Sequence, residues 1–129
     1  MRVLLDTHAF LWLADNPERL APAALEALRD PTTDVFVSAV SAWEIAIKVA
    51  IGKLRIPLPP ARWVAERMAQ SRLTGLSIEI RHAVQIAALP RLHRDPFDRM
   101  LAAQAQVEGL RLATRDRSFT SYGIDLLPL

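Results

Sequence analysis

The sequence has no cysteine, a single tyrosine, only four glycines and no long uncharged apolar run. Without cysteine there are no disulfides, no thiolate metal sites and no thiol nucleophile. Four glycines beside nine turn-forming prolines exclude collagen-like and linker-like chains. A transmembrane helix needs about 18 apolar residues in a row. The most apolar window, 42–51, is broken by Glu44 and Lys48, and Val3-Leu4-Leu5 is cut by Asp6 well short of a secretory signal. Walker A, G-x-G-x-x-G, G-x-S-x-G and H-E-x-x-H motifs are all missing. A soluble, cytoplasmic protein with no membrane contact is expected.

What remains is 129 residues, 51% hydrophobic and 23% charged, which fits one domain over 1–129 with a sizeable core. Sixteen basic and fourteen acidic residues leave a formal charge of +2. The bases are unevenly chosen, with arginine far outnumbering Lys48 and Lys53. The planar arginine fork suits phosphate, although GC-rich coding produces the same bias.

Short apolar segments alternate with helical ones along the chain. Strands are expected at 2–5, 34–37, 76–80, 110–114 and, more weakly, 123–127. Helices are expected at 7–14, 22–29, 38–51, 61–71, 82–89 and 97–108, with Gly52 and Gly109 as stops. A basic loop, 90–96, precedes the last helix, and 116–122 reads as a loop or helical turn. This alternation predicts an α/β fold, with a central parallel sheet of four to five strands flanked by helices. The helix 38–51 is apolar on more than one face, so it is either buried in the monomer or shared with a partner.

Ligands of open parallel sheets bind beyond the carboxyl ends of the strands. Four acids stand there: Asp6 after the first strand, Glu44 in the helix after the second, Asp98 at the start of the last helix, and Asp116 after the fourth strand. Each has a structural alternative as a helix cap, and Asp95 before Pro96 is an N-cap candidate too. Taken together they imply more. Two carboxylates about 4 Å apart repel by roughly 4 kcal/mol at an effective dielectric near 20, so four in one pocket call for cations. All-oxygen ligation suits Mg²⁺ or Mn²⁺, ions that activate water and offset charge on a phosphodiester. Thr7 and Thr114 bring hydroxyls beside the acids, either to orient water or to close backbone hydrogen bonds. Arg91, Arg94, Arg99, Arg115 and Arg117 flank Asp98 and Asp116 as candidates for RNA contact or as plain solvated surface. His8 is expected to be a core histidine with one hydrogen bond, and Trp12, Trp43 and Trp63 packing residues.

Four segments, Leu5-Asp6-Thr7-His8 with Trp12, Ser41-Ala-Trp-Glu44-Ile-Ala-Ile-Lys48 with Gly52-Lys53-Leu54, His93-Arg-Asp-Pro-Phe-Asp-Arg99 with Ala103-Gln-Ala105, and Ala113-Thr-Arg-Asp116, occur in an order and spacing that resemble the PIN-domain proteins, specifically the VapC-like toxins of type II toxin–antitoxin pairs. The resemblance spans essentially the whole chain. It implies a PIN-like fold and a Mg²⁺- or Mn²⁺-dependent ribonuclease with Asp6, Glu44, Asp98 and Asp116 as catalytic and metal-binding acids. It also implies a homodimer held inactive by a cognate antitoxin, for which the helix around Trp43–Ile51 is a candidate contact. Two other readings remain. One is a catalytically silent RNA-binding module. The other is a receiver-type signalling domain, which needs a lysine near the last strand, whereas Lys48 and Lys53 sit mid-chain.

Overall fold

Val3, Leu4 and Leu5 are wholly shielded from solvent because β1 (Arg2–Leu5) is the middle strand of five. The computed structural model describes residues 1–129. The strands run in the order β3 (Thr74–Leu76), β2 (Asp34–Ser38), β1, β4 (Arg111–Thr114), β5 (Leu126–Pro128), and every neighbouring pair is parallel. Parallel strands covered on both faces read as continuous apolar runs, as β1 does.

Alternate side chains supply two cores. Val3, Leu5, Val35 and Val37 pack with Phe10 and Leu13 of α1 (Thr7–Asp15), Leu28 of α2 (Pro22–Arg29) and Trp63 of α4 (Pro60–Gln70). On the opposite face Leu4 and Leu112 meet Leu101 and Ala105 of α6 (Pro96–Glu108). Helix α3 (Ala39–Ala50) joins the two, with Val40 in one core and Ile45 in the other. Short α5 (Ile80–Gln85) lies against α6. Because Leu4 is central to its core, Leu4→Ala is expected to lower the unfolding free energy by about 3 kcal/mol. A urea midpoint equal to the parent's would contradict close packing there.

The third strand differs from the sequence expectation. It occupies 74–76, not 76–80, because β2 offers pairing only from Phe36 to Ser38. The alternating Ile78 and Ile80 are instead exposed, and the Glu79 backbone N–H donates to His82 Nδ1 at 3.0 Å to start α5. At the other edge β5 begins at Leu126, since Gly123, at φ 72°, first closes a 3-10 turn, Arg117–Tyr122. Helix α3 starts at Ala39 with Ser38 as its cap, so Ser41 and Glu44 do not form a capping box.

The chain steps from β1 to β2 and β3 on one side, then returns from β3 across the sheet to β4 and β5 on the other side of β1. That reversal opens a crevice beyond the carboxyl ends of β1 and β4, the place where such sheets hold ligands.

Candidate active site

Asp6 leaves β1 and caps α1, accepting from the Ala9 N–H at 2.7 Å. Its own N–H bonds the Ala113 carbonyl at 3.1 Å, tying it to β4. Asp116 leaves β4 and caps the 3-10 turn through Ser118. Asp95 caps α6 by accepting from Phe97 N–H at 2.8 Å, and this places Asp98 in the first helical turn. Glu44 points in from the middle of α3 and is almost fully buried. Capping and clustering, alternatives in the sequence, therefore coexist. Asp6, Glu44, Asp95, Asp98 and Asp116 line one cavity of about 340 Å³.

The acids are held unequally. Glu44 Oε1 accepts from the Thr7 hydroxyl at 2.7 Å, and that hydroxyl also meets Ser41 Oγ at 3.0 Å. Its other oxygen pairs with Lys48 Nζ, one turn on, at 2.6 Å. Asp116 bonds His93 Nε2 at 2.7 Å and the Ser118 hydroxyl. These donors, the Ser118 hydroxyl foremost, hold the Asp116 carboxyl below its ordinary value. Thr114 Oγ1 accepts the Asp116 backbone N–H at 3.1 Å, and its hydroxyl steadies Asp6.

Asp98 has no hydrogen-bond donor and no ion-pair partner. Burial, reinforced by the neighbouring charges of Asp95, Glu44 and Asp6, pushes its pKa up to about 6 against the opposing pull of His93. Burial raises Asp6 as well. A carboxyl raised by burial and like charges in a cleft is a candidate functional group. No three of the acids and histidines converge closely enough to form a complete ligand set in this arrangement. The chemistry of the donors still fits a hard divalent cation: Asp6 and Asp98 lack a cationic partner, and all the ligating atoms are oxygens.

Other expectations are corrected. His8 is exposed, not a core residue, and its ring lies 5.5 Å from that of Trp12. Trp63 is fully buried, but Trp12 is only half-buried at the cavity wall and Trp43 is 56% exposed, edge-on to Phe97. Arg99 directs its guanidinium to the carbonyls of Pro90 and Ile86, fastening the 90–96 loop. Arg91, Arg94, Arg115 and Arg117 stay exposed. Three contributors had escaped sequence reasoning. Lys48 is signalled by its spacing from Glu44 and its rarity, and His93 by its place at the head of the segment that carries Asp98; Tyr122 has no local signal. Gln104, fully buried, takes the Ser38 hydroxyl at 2.6 Å and bonds the Ser77 carbonyl at 3.3 Å, fixing the end of β2 near Glu44's helix.

No helix is long and apolar enough to cross a membrane. Ribonuclease VapC22 of Mycobacterium tuberculosis is 31% identical over 121 residues, which cover 93% of this chain and 91% of that protein. Among solved structures, VapBC2 from Rickettsia felis bound to a DNA fragment from their promoter shares the fold, with TM-score 0.74 at 15% identity over 99% of this chain and 98% of that chain. FitAcB from Neisseria gonorrhoeae gives TM-score 0.61 at 26% identity over 97% and 96% of the two chains. The sequence also matches the PIN domain over residues 3–124, nearly its whole length, so the chain belongs to the PIN domain family.

Proposed function

We propose that this single-domain protein is a Mg²⁺- or Mn²⁺-dependent ribonuclease, acting in the cytoplasm as the toxin of a toxin–antitoxin pair and silenced by a cognate antitoxin. The observation that carries this reading is that four acids from four separate elements line one cavity, with the Asp98 carboxyl raised to about 6 by burial and its acidic neighbours. The similarity to Ribonuclease VapC22 supports RNA as the substrate, and the complexes of VapBC type among structural neighbours support an antitoxin partner.

Asp6 and Asp98 would hold the cation, with Glu44 and Asp116 completing the set. A bound divalent ion supplies a Lewis acid and lowers the pKa of water beside the scissile phosphate. Thr7 and Ser41 hold Glu44 in orientation, and His93 and Ser118 do the same for Asp116. Lys48, at the cavity wall, offsets part of the negative charge that would repel a phosphodiester. Arg94 and Arg117 offer exposed guanidinium groups to the flanking phosphates. Trp43 and Ile47 of α3 and Ile51 at its C-terminal cap form an exposed apolar stripe, the surface we assign to the antitoxin or to a second copy in a homodimer.

Glu44 and Asp116 are already engaged by Lys48 and His93, which also suits a silent RNA-binding module. Incubation of the purified protein with single-stranded RNA separates the two readings. EDTA is expected to stop cleavage and added Mn²⁺ to restore it. Cleavage that is indifferent to chelator, or absent with Mn²⁺ present, would remove the metal-dependent reading.

A further inference from the structure

One wall of the acid cavity carries side chains that metal binding and phosphate chemistry do not use. His8 and Trp12 lie one turn apart on α1, the helix that Asp6 caps, and both reach the cavity. Arg115, just beyond the end of β4, sets its guanidinium carbon 4.3 Å from the centroid of the Trp12 ring. An Nη2–H of the same group donates to the Arg19 carbonyl, and the Arg19 guanidinium approaches the indole at 5.5 Å. Arg115 is therefore anchored although the residue is exposed.

This anchoring bears on what Arg115 can hold. A guanidinium grips phosphate with its in-plane fork of N–H groups. Here part of that fork is turned to a backbone carbonyl, and one face lies over the indole. The residue is exposed and lines the cavity, and planar faces of arginine and aromatic side chains are surfaces on which unpaired bases stack. His8 extends the same wall with a second exposed ring.

We propose that Trp12, Arg115 and His8 form a nucleobase subsite that seats one unpaired base of the RNA next to the acids. The subsite rests on the ribonuclease reading and deepens it. The cavity that joins the stack to Asp6 and Asp116 makes the seated nucleotide a neighbour of the scissile phosphate, so the stack contributes to the choice of cleavage position. Stacking tolerates any base, so preference would follow stacking strength, purines above pyrimidines.

Binding in EDTA tests this without catalysis. The probes are a short fluorescein-labelled oligoadenylate and an abasic oligomer of the same length, measured by anisotropy over a range of salt. The parent protein is expected to bind oligoadenylate about tenfold more tightly than the abasic oligomer, the scale of one stacked base. Arg115→Lys keeps the charge and removes the planar face, so it should bring the ratio close to one while leaving the salt slope alone. Trp12→Phe, which preserves a ring in the half-buried position, should lower the ratio only in part. Should Arg115→Lys keep the tenfold ratio while Arg115→Ala lowers the salt slope by about one, Arg115 is a phosphate ligand and the subsite is refuted. Failure of both oligomers to bind even at low salt would instead overturn the RNA-directed reading beneath it, a result distinct from loss of the ratio alone.

Discussion

Asp98→Asn is expected to reduce RNA cleavage by at least roughly a hundredfold and, in EDTA at neutral pH, to make the protein more stable. The two effects share one cause. Asp98 is surrounded by Asp95, Glu44 and Asp6 and has no hydrogen-bond donor, so the fold disfavours its charged form and raises its pKa from 3.8 to about 6. A carboxyl raised in this way binds its proton more tightly when folded than when unfolded. The native state therefore loses stability as pH rises from about 4 through 6, and keeps that deficit at higher pH. Asparagine is uncharged throughout and avoids it. Solvent reaches this carboxyl, so the gain is discounted to roughly 1 kcal/mol, or about 3–6 °C in melting temperature for a domain of this size. The advantage should vanish below about pH 4, where aspartate is protonated in both states. Melting curves in EDTA at pH 4 and 7.5, beside a cleavage assay with Mn²⁺, check both halves. Loss of stability on substitution at pH 7.5, or retention of full cleavage, would refute the role given to Asp98.

Replacement of His93 by alanine is expected to weaken Mn²⁺ binding by about ten- to a hundredfold, with a parallel loss of cleavage. The hydrogen-bond chain behind this expectation has a direction. Tyr122 Oη accepts from the His93 backbone N–H at 3.2 Å, so its own hydrogen is free to go to His93 Nδ1 at 2.7 Å. Nε2 lies 2.7 Å from Asp116 Oδ2, and since a carboxylate only accepts, this nitrogen carries a proton aimed at Asp116. Stacking on Phe119 with centroids 4.4 Å apart holds the ring in place. Tyr122→Phe removes the hydroxyl that meets Nδ1 and should reproduce a smaller part of the loss. His93→Gln, whose amide can still donate to Asp116, should recover part of it. Titration calorimetry with Mn²⁺ measures binding apart from turnover. Unchanged affinity in His93→Ala would mean that Asp116 is oriented without the imidazole.

The main outlines were legible because they depend on local signals. Asp95-Pro96 announces a helix start, Gly109 a stop with a left-handed residue at φ 64°, and Val3-Leu4-Leu5 a buried strand. Asp6, Glu44, Asp98 and Asp116 could be brought together because a parallel sheet sends the segments after its strands to one end. The misplaced third strand shows the limit. The alternation at Leu76-Ser-Ile-Glu-Ile80 satisfies a strand pattern, but an edge strand extends only as far as its neighbour offers partners, and that length lies in β2. His8 was misread because an apolar stretch says nothing about which turn of a short helix faces a cleft. The His93–Asp116 and His93–Tyr122 contacts join residues 23 and 29 apart through a loop and a 3-10 turn, where no periodicity relates sequence distance to spatial distance.

Three helix beginnings ring the cavity: α1 at Asp6, the 3-10 turn at Asp116 and α6 at Asp95. Their unpaired amide ends each carry a fraction of a positive charge, and the ammonium of Lys48 adds a whole one. The carboxyls gathered at the cavity are thereby offset in part by the backbone and by Lys48 themselves. Assembly of the polypeptide thus does not wait upon cargo.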